Sequence, residues 1–317
     1  MCNHCYPNIN FKSNPFNKSF SSQHNMNAFT IKDLENLSGI KAHTIRIWEQ
    51  RYGFLKPQRT GTNIRYYSND ELKTILNIAL LNKYGYKISH IDKMGREEIE
   101  SKIIALTQTE AQQAKLVNEM LRAMIDIDMA TFEALLDEQV QSRDIDRVIM
   151  QVIFPFLEKI GILWLTNHII PAQEHLISNI IRQKLIVGIE NVHSYTTTHK
   201  TALLFLPEGE HHELGLLFSH YLFKKHGITI LYLGADCPIK DVAFVINEKK
   251  PDFIFTHLIS LPANFNFDKF MAGIANASQN IPVVISGQLE HHYKKTGYHN
   301  ILYKQSLGDV MDYISLL

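Results

Sequence analysis

From Thr201 onward, apolar runs of strand length recur between stretches of helical periodicity. The runs are Thr201–Leu206, Ile228–Leu233, Asp252–His257, Pro282–Ile285 and Ile301–Tyr303. Helices are expected up to Lys225, from Ile239, near Phe267–Asn276 and at the C-terminus. Strands alternating with helices at this spacing build a parallel sheet with helices on both faces. In a flavodoxin-like strand order, 2-1-3-4-5, a ligand binds at the carboxyl ends of strands one and three, where the order switches direction. The loop after strand one reads Glu210-His211-His212-Glu213-Leu214-Gly215, and strand three ends in Thr256-His257-Leu258. A metal-ligating imidazole needs a held tautomer, and Glu210, two residues before His212, is placed to hold it.

The segment before the sheet is all helical. From about Val117 to Glu190, Met120, Met124, Phe132, Leu135, Leu136 and Val140 mark successive apolar faces, and Leu157, Ile160 and Leu163 continue them to Trp164. Pro155 inside this run begins or kinks a helix, and Ala172 to Leu185 forms another. Four such helices make a small bundle.

Nearer the N-terminus, Thr30 caps a helix whose apolar face is Ile31, Leu34 and Leu37. Ser38-Gly39 breaks it, and a second helix runs from about Lys41 to Arg51 with Ile45 and Trp48 inward. Two short helices joined by a glycine-containing turn are a helix-turn-helix, whose second helix enters the major groove. Gly53 to Tyr67 lacks helical periodicity and reads as a two-stranded wing, and Ser68-Asn-Asp-Glu71 is a capping box opening a helix to about Tyr84. A short helix from Ser89 and a polar helical stretch over 97–118 follow. Domains are therefore expected at 27–95 (winged helix-turn-helix), 96–118 (linker helix), 119–192 (helical bundle) and 199–317 (flavodoxin-like, Rossmann-type doubly wound sheet), after a disordered tail at 1–26.

Charge supports this division. The whole 317-residue chain is neutral, yet residues 27–93 hold eleven Lys and Arg against six Asp and Glu, an excess that suits a phosphate-facing domain. The longest apolar runs fall short of the roughly 18 residues that span a bilayer. Three cysteines give no disulfide framework, and no secretory signal is legible, so the expected location is cytoplasmic with no membrane partner. Cys2 and Cys5 lack a second ligand pair at finger-like spacing. Cys237 is expected to be a packed side chain, and His211 and His257 to be surface or loop histidines. No paired carboxylates, nucleophile elbow or phosphate loop points to an enzyme.

Thr44-Ile-Arg-Ile-Trp-Glu-Gln-Arg-Tyr-Gly53, with Leu55-Lys-Pro-Gln-Arg-Thr60 and Arg65-Tyr-Tyr-Ser68, resembles the winged helix-turn-helix of the MerR family of transcription regulators. The resemblance implies recognition-helix contacts from His43, Thr44, Arg46 and Arg51 and wing contacts from Arg59, Thr60, Asn63, Arg65 and Tyr66. These are donors of the kind that phosphates and base edges require. The remainder is similar to the cobalamin-binding module of methionine synthase and of light-sensing, carotenoid-gene repressors of the MerR type. That family's loop pattern appears as Glu210, His212 and Gly215, and its strand-two ending as Leu231-Tyr-Leu-Gly-Ala-Asp236. Its Ser-x-Leu appears as Thr256-His257-Leu258 and its Gly-Gly as Ser286-Gly287.

The likeness implies His212 as lower cobalt ligand, with the displaced nucleotide tail of the cofactor in a slot in the sheet. Ser286 adds a side chain where the family carries only a hydrogen. The pattern Trp, nine residues, Glu-His stands at Trp164, Glu174 and His175, with Trp164 capping the upper ligand and Glu174 and His175 near it. Light-sensing members carry an upper-ligand histidine directly after that tryptophan. Here the residue is Leu165, which has no lone pair for cobalt, so another group such as His168 would have to serve.

The function implied is a transcription regulator whose oligomeric state (homodimer or homotetramer) or affinity for a palindromic double-stranded operator follows bound cobalamin, the adenosyl form, with light as a signal. Two alternatives stay open: a MerR-type regulator with a vestigial, cobalamin-independent sensor, and a corrinoid methyl carrier, against which the DNA-binding head argues.

Overall fold

A computed structural model describes residues 28–60, 63–106, 109–165, 168–194, 198–259, 261–262, 265–287, 297–304 and 307–315. The expected tail at 1–26 lies outside them, as do Cys2 and Cys5. By its internal contacts the chain divides into two units, one of residues Asn17–Ile180 and one that includes everything from Ile181 on.

The first unit begins with the head. Helix α1 (Ile31–Ser38) starts at a complete capping box, in which the Thr30 side chain accepts from the Asp33 N–H and Asp33 accepts from the Thr30 N–H. It stops at Gly39 in the left-handed conformation, φ 75°. Helix α2 (Ala42–Arg51) buries Ile45 and Trp48. Strands β1 (Gln58–Arg59) and β2 (Arg65–Tyr66) pair antiparallel as the wing. Helix α3 (Asn69–Lys83) opens with the expected Ser68–Glu71 box. Phe29 bridges to Tyr67, both fully buried, so the segment before α1 is stitched to the wing's exit.

After the short α4 (Ile88–Ile91), the single polar helix expected over 97–118 is two, α5 (Arg96–Ile104) and α6 (Thr109–Ile125). Ile103, Leu106 and Ala111 are all buried, which one straight polar helix would not achieve. Helix α6 is no linker. It packs on α3 and on the bundle helices α7 (Met129–Ser142) and α9 (Phe154–Leu165). Between α8 (Ile145–Val148) and α9, residues Ile149–Ile153 wind as a π-helix. Pro155 explains that turn, because it has no N–H for the Gln151 carbonyl and its ring crowds that oxygen, and a widened turn relieves both. Helix α10 (Pro171–Asn191) completes the helices and contributes residues to both units.

In the second unit a five-stranded parallel sheet comprises β3 (Thr201–Pro207), β4 (Thr229–Cys237), β5 (Phe253–Leu258), β6 (Val283–Gly287) and β7 (Ile301–Lys304). The spatial order β4-β3-β5-β6-β7 is the expected 2-1-3-4-5. The crossover helices are α11 (Leu214–Lys225), α12 (Ile239–Lys249) and α13 (Phe267–Ser278), and α14 (Leu307–Ser315) follows β7. Central strands are apolar on both faces, as a doubly covered parallel sheet demands. Leu203, Phe205, Ile254, Val283 and Ile285 join α12 and α13 residues in one core. Edge strand β4 carries a bulge opposite Leu204 and Phe205, with Gly234 at φ 81°.

Candidate functional site

The loop between β3 and α11 is built around a buried carboxylate. Glu210 is wholly inaccessible. One of its oxygens accepts from the His212 backbone N–H at 2.9 Å and faces His212 Nδ1 at 2.6 Å, and the other accepts from the Ile259 N–H at 2.9 Å. A carboxylate out of water needs such partners, and together they hold the loop to the end of β5. With Nδ1–H donated to Glu210, the neutral imidazole carries its lone pair on Nε2, the arrangement that ligates a metal. The His212 side chain is 37% exposed, so that ring reaches solvent. Asp236 pins the same loop from β4: its side chain accepts from the Gly209 N–H at 2.8 Å and its own N–H donates to the Glu210 carbonyl.

Gly215 and Gly287 are required by contact. A Cβ on Gly215 would lie 2.3 Å from the His257 ring, and one on Gly287, at φ 114°, would lie 1.9 Å from the Leu258 carbonyl oxygen. Thr256 is fully buried, and its hydroxyl has no hydrogen-bond partner among the described residues. An orphaned hydroxyl at the end of a central strand costs free energy that a bound polar group can recover.

His257 is not a surface histidine. It lies at the end of β5 against Gly215, with Nδ1 2.7 Å from the hydroxyl of the buried Ser286, and burial pushes its pKa down to about 4 although Glu210 pulls upward. Leu258 is buried in the sheet core.

Glu213, which the sequence did not single out, joins three elements. It accepts from the Tyr232 hydroxyl at 2.9 Å and pairs with Arg182 of α10 at 2.7 Å. Burial, with Glu213 beside it, pushes the Tyr232 phenol up. His220 stacks on that tyrosine, and its pKa falls to about 4, chiefly through burial and secondly through Lys224.

In the first unit Trp164 is half-buried near the end of α9, and Glu174 and His175 stand in the first turns of α10. Glu174 accepts from Ser178, and His175 Nδ1 lies 3.3 Å from Glu174. His168, named above as a substitute upper ligand, is held elsewhere. Its Nε2 is 2.9 Å from the Ala28 carbonyl and 3.5 Å from Asp33, and its ring stacks on Phe29 at 4.4 Å. The side chain of Leu165 lies outside the described residues.

In the head, His43, Arg46 and Arg51 are exposed on α2, with Thr44 beside them. The wing residues are more tied down. Arg59 donates to Asn63, Tyr66 to Gln58, and the Thr60 hydroxyl accepts from the Ile64 N–H. Arg65 is bound to Glu49 of α2 at 2.8 Å, and the Tyr67 hydroxyl donates to the same carboxylate. Glu49 thus clamps wing to helix, a role that only the folded register of β2 reveals.

The family description "MerR HTH family regulatory protein" matches residues 29–98, and "B12 binding domain" matches residues 116–187. The HTH-type transcriptional repressor CarA of Myxococcus xanthus is 28% identical over 264 residues, covering 81% of this chain and 85% of the relative. CarH, an HTH-type transcriptional repressor of the same organism, is 26% identical over 266 residues, covering 82% of this chain and 88% of the relative. Among solved structures, the monomethylamine corrinoid protein of Methanosarcina barkeri aligns with a TM-score of 0.50 at 12% identity, over 64% of this chain and 99% of its own, a likeness of fold. The chain therefore joins a DNA-binding domain of the MerR HTH regulatory family to a B12 binding domain.

Proposed function

We propose that this protein is a DNA-binding transcriptional regulator under the control of cobalamin, with His212 as the lower cobalt ligand. The observation that carries the reading is the buried Glu210 oxygen beside His212 Nδ1 at 2.6 Å, which presets the imidazole for ligation through Nε2. The residues present fit the cofactor: the His212 ring held by Glu210 reaches solvent, and the buried Thr256 hydroxyl has no hydrogen-bond partner among the described residues. When bound, a corrinoid would supply a labile cobalt-carbon bond.

The chain's own residues hold and orient the cofactor. Asp236 of β4 fixes the loop, Glu213 ties it to Tyr232 of β4 and Arg182 of α10, Leu258 closes the strand end, and Trp164, Glu174 and His175 are proposed as the helical region's own cofactor-binding residues. His43, Thr44, Arg46 and Arg51 take base and phosphate contacts, and Arg59, Thr60, Asn63 and Tyr66 hold the flanking backbone. Arg65 positions the wing through Glu49. The relatives named as transcriptional repressors support repression. The form bound is adenosylcobalamin, the assembly a homodimer or homotetramer on a palindromic operator, the compartment the cytoplasm. Binding acts by linkage, changing how many heads engage DNA together. The protein is a regulator and not an enzyme.

A second reading, a regulator whose sheet domain retains no corrinoid, draws on the His257–Ser286 pair packed against Gly215. One experiment separates the two. The protein is incubated with adenosylcobalamin in the dark and desalted, and its visible spectrum is recorded before and after illumination, beside His212→Ala. A retained spectrum altered by His212→Ala is expected, and a lasting change on illumination makes light a signal. No retained corrinoid sinks the proposal in favour of the second reading.

A further inference from the structure

We infer that Ile47 reads a thymine methyl group in the operator, an inference that rests on α2 being the recognition helix. At about 100° per residue, Arg46, Gln50, His43, Ile47 and Arg51 occupy a continuous arc of roughly 140° on α2. All five are exposed, while Ile45 and Trp48 on the opposite side are buried. Ile47 stands inside this arc, 43% exposed, between His43 and Arg51.

A large apolar side chain left in water, ringed by cations and amides on a groove-sized helix, is not explained by packing within the chain. Its surroundings select the partner. Neither Arg46 nor Arg51 has an acidic partner among the described residues, so the arc is positive and fits a polyanion. In the major groove the one apolar feature on a base edge is the C5-methyl of thymine, which is what an isoleucine on this face can contact. Gln50 supplies the fork that suits adenine, and Arg46 the one that suits guanine. Ile47 adds discrimination at one further base without adding charge.

The test uses the full-length protein. Tight-binding duplexes are selected from a randomised library, and each thymine of the best duplex is replaced singly by deoxyuridine, which removes only the methyl. One position in each half-site is expected at which the replacement weakens wild type about fourfold, the worth of one buried methyl group. At those positions it should leave Ile47→Ala unaffected. Because Ile47 is half exposed, the alanine variant keeps its fold, and an unchanged melting temperature checks this. If wild type binds tightly and depends on Arg46, yet no thymine position couples to Ile47, the inference is overturned and the recognition-helix reading stands. If no duplex is enriched, both are overturned.

Discussion

Thr256 shows how a single residue can be legible as a site and opaque as a structure. Its place after an apolar run marks it in the sequence as the end of a strand, but the orphaned hydroxyl needs the fold, since only the pairing with β6 decides what lies beside it. A buried hydroxyl without a partner costs about 1–3 kcal/mol. Thr256→Val keeps the shape and removes that cost. The apo protein is expected to melt about 2–4 °C higher, while its affinity for adenosylcobalamin falls about tenfold because the polar contact is lost. Calorimetry of the apo protein and spectroscopic titration check the two halves. A lower apo melting temperature would mean that the hydroxyl is satisfied in the apo state. Glu210 and His212 were paired by spacing alone, because a two-residue separation is a local property, whereas the second Glu210 bond reaches Ile259 across the sheet and no local pattern encodes it.

At the level of elements, strands were easier to read than helices. The central strands β3, β5 and β6 announce themselves because a doubly covered strand is apolar throughout. The break between α5 and α6 does not, because its three buried side chains are scattered through a polar stretch. The burial of His257 is hidden from the sequence for a related reason: the residue ends β5, and what buries it comes from α11 and β6, elements far away in sequence. Packing of α11 on the sheet has a consequence for pH. The folded protein holds His220 and His257 near pKa 4, below their ordinary 6.5, so both are neutral when folded. The unfolded chain then binds more protons between those values, and the stability of the neutral forms, fully present above about pH 6.5, is lost as pH falls toward 4. Urea midpoints of the apo protein are expected to drop over that window. His220→Phe keeps the stack on Tyr232 without the titrating ring, and its midpoint should fall less steeply with pH. An unchanged slope would show that His220 is protonated as readily in the fold as out of it.

Control of a DNA-binding head by a B12 domain is a property of the whole chain, and linkage fixes the form it must take. A coupling free energy between two sites is reciprocal: the factor by which adenosylcobalamin changes operator affinity is the factor by which the operator changes cobalamin affinity, per protomer. A regulator of this kind is expected to show a factor of about 5–150. Measured in the dark with a selected duplex, the two titrations should agree and differ from one. The variants then divide the molecule. Arg46→Ala, on the exposed arc of α2, is expected to weaken DNA binding about 5- to 150-fold, the worth of a guanidinium contact to a base edge, while the corrinoid spectrum stays as in wild type. His212→Ala alters the spectrum and leaves apo DNA binding unchanged, because the Glu210 loop and α2 belong to separate units. If the cofactor moves operator affinity by a factor of one in both titrations, the two domains share a chain without sharing a signal, and control has to come from a protein partner.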